Sequence, residues 1–447
     1  MNNSTRNHSK KAVFFLRHAA DTDHFVPVIH KWMQHPDKDA EIVITSRHIT
    51  SEDPRLRFLR DTHNIRIHTI FDLYLEIVGD PPPDSFPVKT PSVWVYRAYR
   101  LIGKRVAGRP ANFSYLYDQH FLKNVLEKLF EGADQRAVVF DPVYSAAYEL
   151  EHALLKCAGE QGIARICMPH SNDPHLNLMI ISSMLNFDSY EFEKRPFRHN
   201  EFDRIAFPNE VMAERNRARG VTEDQSAIIG CARYNQEWVE TLTEIYQPYE
   251  WEESDGLRKI LVLPRAKNYP IFWDELTQFI RMALKFENIC VIIMDHVRGK
   301  RVPQIKALDT QLTDSERSRL RIIGDADSVP LILWCDLVLD LMTGVAFDAV
   351  RRKKPVLTLD CLQTSTSAIG TYLSASRIND RDTFFRTIDA FSNGRLDPDN
   401  FYDPDELTEF TRNMIEQNGP NVLEDYVQFI AEAMTPKTAE PSAVPSR

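Results

Sequence analysis

Residues 335–360 read CDLVLDLMTGVAFDAVRRKKPVLTLD. The apolar run at 336–340 predicts a buried strand, residues 343–352 have the pattern of a helix, and residues 355–360 predict a second strand. A strand, a helix and a strand in this order form the repeating unit of a parallel α/β sheet. The polar break at Thr343-Gly344 falls at the carboxyl end of the first strand, where such sheets bind their ligands.

The same alternation extends over the rest of the chain. Further apolar runs that predict strands lie at 12–16, 41–45, 65–70, 137–141, 164–169, 204–209, 226–230, 259–264, 290–295 and 320–324. The polar stretch WEESDG (251–256) separates the first seven of these runs from the others and is the expected hinge. We therefore predict an α/β protein with two doubly wound, parallel-sheet domains that face a central cleft. Their expected bounds are 1–250 and 257–420, followed by a helix at 421–435 that packs back on the N-terminal domain and a disordered tail at 436–447.

Composition excludes several classes of protein. The 447 residues are 43% hydrophobic and 26% charged, which is typical of globular domains, and the formal net charge of -10 argues against bulk nucleic-acid binding. The six cysteines form no C-x-x-C pair, so they favour buried thiols in a reducing compartment over a zinc site. The N-terminus has no signal-peptide pattern, and no apolar stretch approaches the roughly 20 residues that span a bilayer. A cytoplasmic location is expected.

One basic segment stands out in this acidic chain. Residues 93–109, VWVYRAYRLIGKRVAGR, contain five basic residues and no acid. Such a segment is either the solvated face of a helix or a docking surface for an anionic acceptor or the inner face of the membrane.

Familiar catalytic motifs are missing from the sequence. It has no G-x-G-x-x-G, no Walker A, no kinase signature and no G-x-S-x-G elbow, so a Rossmann dehydrogenase and a P-loop NTPase are not expected. Polar residues at the ends of predicted strands are the remaining candidates. Thr343 and Gly344 would begin a helix whose positive end favours phosphate, and Asp348, one turn on, could accept hydrogen bonds from a ribose. Alternatively, Thr343 is only an N-cap and Asp348 a surface acid.

Cations after other strands suit the phosphates of a donor. His296 and Arg298 follow the strand at 290–295, although this loop could equally be an ordinary exposed one. The other candidates for phosphate contacts are Arg233, which could instead pin a turn between the domains, Arg265 and Lys267.

Candidates for the acceptor side lie in the first half. His170 follows the strand at 164–169, and a neutral imidazole there could take a proton from an acceptor hydroxyl near pH 7. A lone histidine is more often structural. The acceptor-binding candidates are His18, Asp21, Asp23 and Asp173.

Taken in order over roughly residues 130–365, these pieces resemble GT-B-type transferases of the CDP-glycerol glycerophosphotransferase and surface polysaccharide glycosyltransferase group. The UDP-GlcNAc 2-epimerases are structural cousins of that group. Its His-Gly-Thr-Pro motif, whose histidine is thought to be the catalytic base, resembles MPHSNDP, which keeps His170. Its Gly-x-Pro-Arg-x-Asp motif resembles GCARYN, which keeps Gly230 and Arg233.

Three later motifs also match in order. The family's strand with Pro and then Thr or Arg resembles LVLPRAKN, and its Lys/Arg-x-His-Pro resembles IIMDHVRG, which keeps His296 as an expected contact to donor phosphate. Its Asp-Tyr-Ser-Ser-x-x-Phe-Asp…Lys-Pro resembles DLMTGVAFDAVRRKKP, with Thr343-Gly344 in place of the serine pair. Together with Ser171 in place of glycine and Val297 in place of proline, this departure suggests a divergent branch.

The resemblance implies a GT-B fold with two Rossmann-like domains and a metal-independent transferase. A sugar or polyol phosphate would pass from a nucleotide-activated donor to a hydroxyl of a surface or capsular glycan, teichoic acid-like or lipid-linked. His170 would be the base, His296 would be catalytic on the donor side, and no metal or other cofactor is expected. One alternative is a UDP-GlcNAc 2-epimerase-like isomerase, which would need acids such as Asp21, Asp23 and Asp173 near the sugar. The other is a non-catalytic binding protein that keeps the fold.

Overall fold

The computed structural model describes residues 10–45, 49–78, 119–142, 149–169, 171–177, 201–265, 269–295, 303–324 and 326–435. The basic segment at 93–109 and the tail at 436–447 lie outside these ranges, as do four predicted site residues: His170, Lys267, His296 and Arg298.

Within the described ranges, the strands form two wholly parallel sheets. In chain order the strands are β1 (Lys10–Leu16), β2 (Lys38–Ile44), β3 (Arg66–Thr69), β4 (Gln135–Phe140), β5 (Ala164–Cys167), β6 (Arg204–Phe207), β7 (Ser226–Ile228), β8 (Arg258–Leu263), β9 (Ile289–Met294), β10 (Leu320–Ile323), β11 (Leu337–Asp340) and β12 (Val356–Thr358). The first sheet has seven strands in the order β3-β2-β1-β4-β5-β6-β7, and the second has five in the order β10-β9-β8-β11-β12. The predicted class, two doubly wound α/β domains, is confirmed.

Helices alternate with these strands and cover both faces of each sheet. Those of the first domain are α1 (Ala19–Met33), α2 (Pro54–His63), α3 (Ile70–Val78), α4 (Gln119–Leu129), α5 (Glu149–Glu160), α6 (Glu210–Arg217) and α7 (Gln236–Ile245). The later ones are α8 (Trp273–Leu284), α9 (Pro303–Leu308), α10 (Asp314–Ser318), α11 (Ser328–Trp334), α12 (Ala346–Arg351), α13 (Ala368–Tyr372), α14 (Arg381–Ser392), α15 (Pro404–Met414) and α16 (Val422–Ala433). None of these helices is both long and apolar enough to cross a bilayer.

Strand β1 shows why the strands are apolar on both sides. Its alternate residues Phe14 and Leu16 pack into one core cluster, while Val13 and Phe15 pack into the cluster on the other face. Successive strand side chains point to opposite faces, so a sheet covered by helices on both sides needs a continuous apolar run. This is the pattern from which the strands were predicted.

The order of the strands reverses beside β1 and β4 in the first sheet, and beside β8 and β11 in the second. Such reversals are the topological switch points of doubly wound sheets, and ligands bind in the crevice outside them. The residues that follow these four strands are therefore the candidates for a ligand site.

The chain crosses between the domains twice. On the first crossing Trp251 stacks on Trp334, with ring centroids 5.8 Å apart, so the segment 251–256 packs against the second domain. On the return, α16 packs in the core beside α1, and the Tyr426 hydroxyl donates a hydrogen bond to the Gly230 carbonyl at 2.9 Å. The last helix therefore completes the core of the first domain.

Candidate functional site

The switch point of the first sheet carries a buried ion pair. Arg17 follows β1, Asp141 follows β4, and the Arg17 guanidinium donates to the Asp141 carboxylate and, at 3.2 Å, to the Pro142 carbonyl. Only 6% of Arg17 and 1% of Asp141 are exposed. A guanidinium and a carboxylate this deeply buried must neutralise each other, because an isolated charge in the interior is strongly unfavourable.

Two more carboxyl groups stand close to this pair. The Asp21 carboxylate accepts hydrogen bonds from the amides of Arg17 and His18, both at 2.7 Å. Burial, together with the charge of Asp141, raises the pKa of Asp21 well above its ordinary value. Burial also raises the pKa of Glu151, and the charge of Arg17 opposes that shift. With three buried carboxyl groups around one guanidinium, burial at this switch point favours the protonated form of Asp21 and Glu151.

The switch point of the second sheet repeats the pairing of arginine with aspartate in another form. Arg265 follows β8, and Asp340 is the last residue of β11. The Asp340 carboxylate accepts hydrogen bonds from the Met342 amide at 2.9 Å and from the Thr343 amide and hydroxyl at 2.9 and 2.7 Å. Burial raises the pKa of Asp340 to about 6, although these hydrogen bonds and the nearby Arg265 oppose the shift. The Arg265 guanidinium lies 3.8 Å from the centroid of the Tyr269 ring.

The expected role of the Thr343 amide needs correction. It donates to Asp340 and does not point toward a ligand, and helix α12 begins at Ala346 and has six residues, where the sequence had predicted 343–352. Gly344 instead lies in the contact between the domains, where its carbonyl accepts a hydrogen bond from the Tyr234 hydroxyl at 2.5 Å. A β-carbon on Gly344 would lie 3.3 Å from that hydroxyl, so a larger residue would press on this contact.

Asp348 is buried, with 1% of its surface exposed, and so it is not a surface acid. One of its oxygens accepts from Arg352 at 2.9 Å, and the other has no hydrogen-bond partner among the described residues. Arg352 also reaches helix α7 of the first domain, where it donates to the Thr243 hydroxyl at 2.7 Å and to the Val239 carbonyl at 3.1 Å. A ribose contact by Asp348 would require this joint between the domains to rearrange.

A third polar group belongs to the segment after β5. Arg215 of α6 donates to the Asp173 carboxylate at 2.9 Å, and its guanidinium lies 3.4 Å from the Nε2 atom of His175. Burial lowers the pKa of His175 to about 4, Asp173 opposes the shift, and Arg215 and Arg265 add to it. His175 is therefore neutral at pH 7, and its Nδ1 atom is buried without a hydrogen-bond partner among the described residues. The influence of Arg265 places this group beside the second switch point.

The same segment holds the two domains together across the cleft. The Leu176 amide donates to the Thr366 carbonyl at 3.0 Å, and the Ala368 amide donates to the Pro174 carbonyl at 2.9 Å. The Asn172 side chain adds a hydrogen bond of 2.5 Å to the Met414 carbonyl. The carboxyl ends of both sheets thus face one cleft whose walls are in contact.

Other predicted residues have structural partners. Asp23 accepts from Arg55 and from Arg233, the latter at 2.6 Å, so Arg233 ties α1 to the turn after β7. Asp21 is fully buried and accepts hydrogen bonds from the amides of the two residues just before α1, which is the role of the carboxylate in a capping box. His18, at the start of α1, is partly exposed. Of the acceptor candidates, His18, Asp23 and Asp173 therefore keep some surface toward solvent.

Several residues of the site were not predicted: Arg17, Asp141, Glu151, His175, Arg215 and Asp340. Arg17 and Asp141 are the first polar residues after two apolar runs, which is the only local signal that the sequence offers. Their contact depends on β1 pairing with β4, 124 residues away, and no local pattern contains that information.

Comparison with known proteins identifies the fold. No protein-family model matches the chain, and no curated protein matches it. A putative UDP-N-acetylglucosamine 2-epimerase from Listeria monocytogenes has a similar structure, at 12% identity and a TM-score of 0.55 over 93% of this chain and 94% of that one. A glycosyltransferase from Rickettsia africae ESF-5 matches at 11% identity and a TM-score of 0.54, over 96% of this chain and 100% of that one.

A third similar structure holds a ligand. The UDP-GlcNAc 2-epimerase from Neisseria meningitidis, solved bound to UDP-GlcNAc, matches at 12% identity and a TM-score of 0.51, over 95% of this chain and 99% of that one. Likeness at this level of identity shows a shared fold, and the fold shared with these proteins is GT-B.

Proposed function

We propose that this chain is a metal-independent transferase that takes a sugar or polyol phosphate from a nucleotide-activated donor and attaches it to a hydroxyl acceptor. The observation that supports this proposal most is the pair of switch points that face one cleft. One of them carries Arg265 beside a carboxyl group engaged by its own turn, and the other carries three carboxyl groups around Arg17. The cationic side of the cleft suits the phosphates of the donor, and the acidic side suits the hydroxyl of the acceptor.

On the donor side, Arg265 would hold the phosphates of the nucleotide. Negative charge grows on the leaving nucleotide as the bond to the transferred group breaks, and a preorganised guanidinium stabilises that charge. Gly344 would contribute close backbone approach from the turn after β11. The similar structure from Neisseria meningitidis holds a nucleotide sugar, which supports this class of donor.

On the acceptor side, His170 is the proposed base. His170 lies outside the described residues; in the sequence it stands between β5 and the segment 171–177, and that segment contacts the second domain. A base there would take the proton of the attacking hydroxyl. Contact between the two domains would exclude water from the donor and so limit its hydrolysis.

A second candidate is a UDP-GlcNAc 2-epimerase-like isomerase. The raised pKa values of Asp21 and Glu151 favour it. Epimerisation at a carbon of the sugar requires that the proton on that carbon be removed and returned, and carboxyl groups can act as the base and the acid. The two candidates differ in whether an acceptor is needed. Incubation of UDP-GlcNAc without an acceptor would yield a changed sugar nucleotide only in the second case.

Nucleotide binding is the first test. Thermal unfolding would be followed with UDP, CDP, GDP and ADP, and we expect one of them to raise the midpoint. A ligand present at 100 times its dissociation constant stabilises the folded state by roughly 2.7 kcal/mol. The matching nucleotide sugar would then be incubated with and without EDTA and acceptor alcohols, with turnover expected to survive EDTA. Absence of any shift with all four nucleotides would contradict the proposal.

A further inference from the structure

A cavity of about 490 Å³ lies away from the cleft, where the return crossing meets both domains. Its lining comes from Gln236 at the start of α7, from the end of α12, from α15 and from residues 416–419. Ligand sites for small molecules usually have volumes of about 300–1,000 Å³. None of the residues that line it belongs to either switch point, so it is a second site in its own right.

The lining is positively charged, although the chain as a whole carries a net charge of -10. Arg351, Lys353 and Arg412 line the cavity together with a single acid, Glu416. Glu416 is already engaged, because the Arg351 guanidinium donates to it at 2.6 Å. Lys353 and Arg412 are exposed, and neither forms an ion pair within the described part of the chain. The cavity therefore has two cations to offer to an anionic ligand.

The backbone at Lys353 gives independent support. Lys353 has a φ of 55°, in the left-handed region, directly after the end of α12. Glycine or asparagine usually occupies this position, because a β-carbon there costs about 1–2 kcal/mol. Hydrogen bonds from the amides of Lys353 and Lys354 to carbonyls of α12 hold this conformation, and Lys353 lines the cavity.

The cavity also touches the joint between the domains. Gln236 belongs to the first domain and Lys353 to the second, and Arg352 between them donates to the Val239 carbonyl of α7 at 3.1 Å. At its other end, α12 follows Gly344, which receives the Tyr234 hydroxyl in the cleft. A ligand in the cavity would contact both domains at once, on the side away from the candidate active site.

We propose that this cavity binds a phosphate-bearing small molecule, independently of the donor in the cleft. Phosphate groups carry about two negative charges near pH 7, and both guanidinium and ammonium groups bind them well. Lys353 and Arg412 would bind the ligand, and Gln236 also lines the cavity.

Inorganic pyrophosphate is the probe. Its binding to the cleft must first be weakened. Calorimetric titration would therefore use the full chain carrying Arg265→Ala, which removes the arginine that the proposed function assigns to the donor phosphates. We expect one binding event that the added pair Lys353→Glu and Arg412→Glu weakens at least tenfold. Arg386→Glu is the matched control, because Arg386 is equally exposed and does not line the cavity; its binding should stay within twofold.

Three outcomes would overturn the proposal: no binding to the Arg265→Ala protein, equal binding with and without the charge reversals, or equal weakening by Arg386→Glu. Crystals of the unmodified protein soaked in tungstate give a second readout, since an anomalous peak is expected between Lys353 and Arg412. The result does not depend on nucleotide binding in the cleft, so failure here and failure of the proposed transferase can be told apart.

Discussion

The two switch points are built from the same strand arrangement and the same residue types, yet they differ in the group to which the aspartate is hydrogen-bonded. In the first sheet, the Asp141 carboxylate binds Arg17 directly, and both are buried. In the second, the Asp340 carboxylate accepts hydrogen bonds from its own turn, and the charge of Arg265 lowers its pKa. One switch point therefore pairs its arginine directly with its aspartate, whereas in the other the turn after β11 engages the aspartate.

In the proposed function, this difference gives opposite roles to Arg17 and Arg265, which occupy equivalent positions. A buried, neutralised arginine orders the loops and shifts the pKa values of the surrounding carboxyl groups. In the proposed function, the arginine of the second switch point binds a substrate anion. Each of the following experiments tests that contrast.

The largest expected effect is on folding, from Asp141→Asn. The change leaves Arg17 buried without its carboxylate, and removal of one partner of a buried ion pair typically costs about 3–5 kcal/mol. Urea unfolding would measure the loss. The exposed pair of Arg381 and Glu275 provides the control, since Glu275→Gln should cost less than about 1 kcal/mol. A loss below about 1 kcal/mol for Asp141→Asn would mean that Asp21 or Glu151 replaces it as the partner of Arg17.

The second effect is on binding, from Arg265→Ala. Hydrogen bonds to charged groups contribute about 1.5–3 kcal/mol, so the dissociation constant of the preferred nucleotide should rise by roughly 10- to 150-fold. Titration calorimetry measures this directly, and Arg386→Ala should leave the affinity unchanged. If Arg17, and not Arg265, held the phosphates, Arg265→Ala would have no effect on affinity and the contrast would be reversed.

The third effect concerns pH and Asp340. Its pKa in the folded state, about 6, is raised above the ordinary value of 3.8. The folded state therefore binds the proton more tightly than the unfolded state does. This proton binding adds to the free energy of unfolding, and the added part is fully present below about pH 4 and is lost as the pH rises through 6. Asp340→Asn removes this dependence and also loses an acceptor for the Met342 amide, at a cost of about 1–3 kcal/mol.

The direction of this pH dependence is tested by measuring the free energy of unfolding of both proteins between pH 4 and pH 7. The advantage of the unmodified protein over Asp340→Asn should grow as the pH falls from 7 to 4. Thr343→Val, which loses only the hydroxyl donor, should cost less and keep the pH dependence. An advantage that grows toward pH 7 would show that Asp340 is ionised through stronger pairing with Arg265 than the structure indicates.

The smallest effect is expected from Tyr234→Phe, which removes the hydrogen bond to the Gly344 carbonyl between the domains. The loss should be about 1 kcal/mol, and the radius of gyration from X-ray scattering should increase if that bond helps to hold the cleft closed. Tyr402→Phe is the control, because Tyr402 donates to the Lys354 carbonyl within the second domain and should alter stability alone. An identical scattering curve for both variants would assign no closing role to Tyr234.

The fold was predictable because its signal is local. Each strand of a doubly wound sheet is a short apolar run, and the strands β11 and β12 around the opening stretch are typical examples. The site was less predictable. The sequence predicts that Thr343 begins a helix, but the buried Asp340, the last residue of β11, accepts hydrogen bonds from the Thr343 amide and hydroxyl, and so the helix starts later.

Long-range pairing explains most of the other differences. The partners Arg17 and Asp141 meet only because β1 and β4 are adjacent, and periodicity does not specify strand order. The pair formed by Asp348 and Arg352 has the i, i+4 spacing of a helical ion pair and was open to prediction from sequence. Its burial against α7 was not, because that depends on how the domains meet.

The position of α16 has a consequence for biosynthesis. Tyr426 and its helix fill part of the first domain's core, although residues 258–414, which supply the whole second sheet, are translated before them. At the usual 5–20 residues per second, the ribosome needs roughly 10–40 s to make the chain between the hinge and the end of α16. During that interval α1 is expected to lack its last partner, and the second domain can finish folding before the first. A chaperone that shields α1 would be needed most in that interval.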